Sequence, residues 1–72
     1  MQHRQIIAQR LRAARLAALL TQEQAAARFG WKQNTLSQIE TGKRSVRAED
    51  LHRFADLYEV PLSDLVEVSR EA

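Results

Sequence analysis

Apolar residues recur along this chain at helical spacing, in five stretches separated by turn residues. Ile7, Leu11, Ala14 and Ala18 repeat at intervals of three and four, which predicts a helix over 3–19 with one buried stripe. Thr21, with Gln24 three residues on, carries a capping-box signature, so a second helix is expected over Gln22–Phe29 with Ala25, Ala26 and Phe29 inward. Gly30 takes a left-handed conformation at no steric cost and predicts a tight turn. A third helix follows over Gln33–Thr41, with Gly42 where a C-terminal glycine is expected. Leu51, Phe54, Ala55 and Tyr58 make the apolar face of a fourth helix over Ala48–Tyr58, and Leu57 falls outside that stripe. Pro61 opens a last helix over Leu62–Ser69, with Leu65 in the core and Val60 packed inward; residues 70–72 are expected to fray. Residues 1–72 read as one all-α domain, a compact five-helix bundle.

The third helix divides its faces by chemistry. At about 100° per residue, Gln33, Asn34, Ser37, Gln38 and Thr41 fall on one side, and Leu36, Ile39 and Glu40 on the other. The outward side holds amides and hydroxyls and no carboxylate. An amide offers a donor beside an acceptor, which suits a base edge in the major groove. Gln33, Asn34, Ser37 and Gln38 are therefore the candidate base-reading residues. Glu40 lies on the inner side of its helix, and Arg15 lies at the margin of the first helix's stripe. A half-buried carboxylate and a half-buried guanidinium each need a partner, so the two are expected to pair.

The stretch LTQEQAAARFG…LSQIETGKR resembles the helix-turn-helix, over about 22–41, of the lambda-repressor/Cro-like family of phage and bacterial regulators. Gln22, Ala26, Gly30, Leu36, Ile39, Glu40 and Gly42 carry the match, and the likeness extends from about Ile7 to Leu65. The resemblance implies the lambda-repressor-like DNA-binding fold. It implies a Gln22 contact to the DNA backbone, phosphate contacts from Lys43 and Arg44 in the loop after the third helix, and a structural Arg15–Glu40 pair. The chain departs from the family at several points. Ala25 stands where a larger aliphatic residue is usual, which thins the core; Trp31, after the turn glycine, is expected to plug that gap. Lys32 replaces the usual Ser or Thr cap of the third helix and is read as a phosphate or guanine contact. Val46-Arg47 replace a common Pro-Ser, leaving Ser45 as the candidate cap of the fourth helix, and Glu59 replaces a helix-ending glycine.

Composition sharpens this picture. The net charge of +2 conceals an asymmetry: residues 1–47 hold nine Lys/Arg against two carboxylates, a net of +7, and residues 48–72 hold two against seven, a net of −5. Such a chain can turn a basic face to a polyanion and hold an acidic end away from it. There is no cysteine, which excludes disulfides and thiolate metal sites. No apolar run approaches the ~18–20 residues that span a bilayer, and no signal peptide is evident, so a cytoplasmic location is expected. His3 and His52 lie on different helices, and no carboxylate pair, nucleophile with a base, phosphate-cradling glycine loop or metal-ligand spacing is present. Neither an enzyme, a cofactor, a metal site nor a small-molecule effector is expected.

Together these readings predict a sequence-specific DNA-binding transcriptional regulator. Leu57, Leu62, Val66 and Val68 exceed what a thin core can bury and are the candidate homodimer surface. A two-fold dimer would set two recognition helices ~34 Å apart on a palindromic operator. Phage Cro-type repressors and the controllers of restriction-modification systems both have this size. The alternative is an antitoxin or adaptor module whose acidic half binds a protein partner.

Overall fold

The structure, a computed structural model, describes the backbone of residues 3–66 and the side chains of residues 5–66. Among the described residues five helices follow in order: α1 (His3–Ala17), α2 (Gln22–Phe29), α3 (Gln33–Glu40), α4 (Ala48–Tyr58) and α5 (Leu62–Leu65). The predicted extension of α5 to Ser69, and with it Val68, lies outside the described residues. No described helix is long and apolar enough to cross a membrane.

One core joins all five elements. Leu11 of α1, Ala25 and Ala26 of α2, Leu36 and Ile39 of α3, Leu51, Phe54, Ala55 and Tyr58 of α4, and Leu65 of α5 are buried together. The stripe of α1 is rotated from the one predicted. Ala8, Leu11 and Arg15 form its buried centre, and Ile7, Ala14 and Ala18 flank it half-buried. The reason is Arg15, which an apolar pattern leaves out and which the fold takes inside.

Ala25 and Ala26 of α2 are buried, and an aromatic group packs against the same core. Trp31 stacks on Phe29 with ring centroids 4.8 Å apart and presents an edge to Phe54 at 5.8 Å. It is half-buried against the core. The Arg53 guanidinium lies over the Phe29 ring at 4.9 Å, closing the cluster with a cation–π contact.

The helix ends separate local rules from tertiary ones. Thr21 caps α2 as predicted: its hydroxyl accepts from the Gln24 N–H at 3.0 Å, and the Gln24 side chain accepts from the Thr21 N–H at 2.9 Å. Gly30 ends α2 in the left-handed region at φ 73°. Three ends escape the local signals. First, α1 stops at Ala17, two residues early, because Leu19 turns left-handed at φ 63°. Second, Glu59 ends α4 at φ 58°, holding the conformation a glycine would have supplied. Third, Ser45 does not cap α4; Arg47 occupies that position in an extended conformation without a side-chain hydrogen bond.

Candidate nucleic-acid interface

The turn at Gly30 sets α3 against α2 and turns the polar face of α3 outward. Gln33 and Asn34 are exposed on its first turn, and Ser37 and Gln38 are half-exposed on the next. Leu36, Ile39 and Glu40 are buried on the opposite side. The division of faces read from the sequence therefore holds in space. Thr41 is exposed as well, and its hydroxyl donates back to the Ser37 carbonyl at 2.9 Å, closing its own helix.

Cations frame this face at both ends. Lys32 precedes the first turn, exposed and without a side-chain cap. At the far end the chain folds back: the Lys43 and Arg44 N–H groups both donate to the Gln38 carbonyl, at 2.9 and 3.2 Å. These bonds satisfy the end of α3 and fix where the two basic side chains leave the backbone. Both side chains are exposed. Gly42 makes the fold-back possible with φ 79°, and a Cβ there would also meet the Gln5 amide at 2.8 Å.

Behind the face sits the expected ion pair, only 6% exposed at either residue. Arg15 donates from Nε to Glu40 Oε2 at 2.7 Å and from Nη2 to Oε1 at 3.0 Å, a bidentate arrangement. The hydrogen bond to Glu40 raises the Arg15 pKa further above its ordinary value, so the charge is permanent. Nη1 donates to the Leu20 carbonyl at 2.8 Å, tying the α1–α2 turn to the same pair.

Gln22 is where the structure adds most to the sequence. It does not simply face outward to a backbone phosphate. It is half-buried, and both ends of its amide are engaged: Nε2 donates to Glu40 Oε1 at 3.1 Å, and Oε1 accepts from Gln33 Nε2 at 3.2 Å. A continuous polar chain thus runs from Arg15 through Glu40 and Gln22 to Gln33 at the surface. The sequence showed each of these residues, but not that α2 crosses α3 closely enough for them to meet.

The candidate dimer residues are less free than predicted. Leu57, Leu62 and Val66 are half-buried and pack against their own core. Among the described residues, the large apolar side chains that are exposed are Leu16 (47%), in the last turn of α1, and Leu19 (88%), just beyond it.

Residues 6–68 match the family described as the helix-turn-helix domain. No curated protein matches the chain. Two solved structures are similar: the BldD DNA-binding domain from S. venezulae, at 26% identity with a TM-score of 0.79, and a crystal structure of the DNA-binding domain of BldD, at 27% identity with a TM-score of 0.79. Each alignment covers 92% of this chain and 99% of the other. The all-helical architecture is the one these structures share. The chain is a helix-turn-helix protein, and it belongs to the helix-turn-helix domain family, of the lambda-repressor/Cro-like type that the residues of α2 and α3 suggested.

Proposed function

We propose that this chain is a sequence-specific DNA-binding transcriptional regulator, a dimeric repressor or controller that reads the major groove of a palindromic operator. It is a binding module of the cytoplasm, without catalytic role, cofactor or small-molecule effector. The observation that carries the reading is the exposed amide and hydroxyl face of α3 with cations at both ends. The likeness to the BldD DNA-binding domain supports it. In this reading Gln33, Asn34, Ser37 and Gln38 contact base edges, while Lys32, Lys43 and Arg44 hold phosphates and set register. Gln22 keeps one amide N–H and the first-turn main chain of α2 for the backbone.

A second reading has one observation in its favour. Glu49, Asp56, Glu59 and Asp64 are exposed along α4 and α5, a surface suited to a basic protein partner, as in an antitoxin or adaptor.

The test is selection of bound duplexes from a random pool, followed by affinity measurements across salt concentrations. Gln38→Ala should relax preference at one base pair, at about 1–3 kcal/mol. Lys43→Ala should weaken all sequences alike and reduce the salt slope by about 1. Identical behaviour of the two variants would refute the division of roles. Failure to bind any duplex at low salt, with retained binding to a basic protein, would favour the adaptor.

A further inference from the structure

We infer that Glu40, although buried and remote from any base, sets which base Gln33 reads. This rests on the base-reading role of Gln33 proposed above. Both Glu40 oxygens accept from the Arg15 guanidinium, so this carboxylate meets Gln22 as a hydrogen-bond acceptor. The Gln22 amide must therefore turn its NH2 end toward Glu40, at 3.1 Å, and its carbonyl end away. That carbonyl can accept only from a donor, so the Gln33 amide must turn its own NH2 end inward, at 3.2 Å. The polarity of each amide is thus dictated by the group behind it, back to the ion pair.

What remains on Gln33 is its Oε1 and its second N–H. One acceptor beside one donor complements adenine, which offers an N6–H donor and an N7 acceptor in the major groove. Guanine offers two acceptors there, N7 and O6, and suits two donors instead. With the opposite polarity, Gln33 Oε1 would be occupied by a Gln22 N–H, and both Gln33 N–H groups would face the groove. Glu40 is therefore a positioning residue for specificity, acting through Gln22.

The experiment compares base preferences, column by column, for the wild type and three variants selected against a random duplex pool. Gln33→Ala identifies the column that Gln33 reads. The double variant Arg15→Met with Glu40→Leu removes both charges together, leaves no orphaned ion, and frees the Gln22 amide to take either polarity. Gln22→Met interrupts the chain with the ion pair intact, and serves if the double variant does not fold by circular dichroism. The expected wild-type column favours adenine by about 10-fold or more. In the double variant and in Gln22→Met that column should fall toward parity between adenine and guanine, with the other columns unchanged. A purely structural role for the ion pair would weaken every column together. The inference is overturned if the column stays sharp in folded variants, or if wild type prefers guanine there. A Gln33→Ala profile identical to wild type would instead remove the base-reading role of Gln33, and the relay with it.

Discussion

Tyr58 shows how one side chain can be well placed and badly satisfied. Its ring is 4% exposed and lies 5.6 Å from Phe54, a sound core position. Its hydroxyl is buried without a hydrogen-bond partner among the described residues. Burial raises the phenol pKa above its ordinary 10, and the nearby Glu40 charge raises it further, against a smaller opposing effect of Arg15. The sign of the pH effect follows. The unfolded chain ionises this phenol near pH 10 while the folded chain resists, so stability is intact below pH 10 and declines as pH rises beyond it. Tyr58→Phe should raise stability near neutral pH by about 1 kcal/mol, because an unsatisfied buried hydroxyl is removed. It should also flatten the decline above pH 10; thermal melts at pH 7, 10 and 11 check both. The sequence announced Tyr58 as apolar and could not disclose its hydroxyl. Arg15 and Glu40 were legible, because each charge stood on the inner margin of an otherwise apolar stripe. Gln22 was not, since its partner Glu40 lies 18 residues away and meets it only through the crossing of α2 and α3.

At the scale of the element, the rules that operate within four residues were readable. The Thr21–Gln24 capping box, the Gly30 turn and the bounds of α4 all appear as predicted. The early end of α1 and the left-handed close of α4 were not readable, because neither residue there favours the conformation it takes. Leu19 and Glu59 both hold positive φ, which is strained for a residue with a Cβ. Glu59 is exposed, and its side chain makes no hydrogen bond or ion pair among the described residues to offset this cost. Glu59→Gly should raise the melting temperature by about 4–8 °C, equivalent to about 1 kcal/mol in a domain of this size. No rise, or a fall, would mean that the Glu59 side chain stabilises the end of α4 in some other way.

For the whole molecule, the five-helix core was legible because each stripe is short, periodic and bounded by turn residues. The way a second copy would meet it was not, because an apolar excess counted along the sequence does not say which surplus residues the fold absorbs. Leu57 remains the best test of the proposed two-fold surface. It lines a groove of about 530 Å³ with Ala17, Leu20, Arg28 and Val60, so part of it faces outward. Leu57→Lys keeps an aliphatic stem against the core and places a charge at the rim. If α4 and α5 form the dimer contact, sedimentation equilibrium should show the mass falling from twice 8.3 kDa to a single chain, with the helical spectrum retained. A persistent dimer would move the contact elsewhere, with Leu16 and Leu19 as the next surface to alter.

The ring stack beside α3 also gives the molecule an optical reporter. The chain has a single tryptophan, Trp31, pressed on Phe29 one residue before Lys32. Its emission therefore comes from the junction between the two helices of the helix-turn-helix unit and from nowhere else. A shift of that emission to longer wavelength marks water entering this junction. Its coincidence with loss of the helical signal would mean that the junction and the bundle give way in one cooperative step.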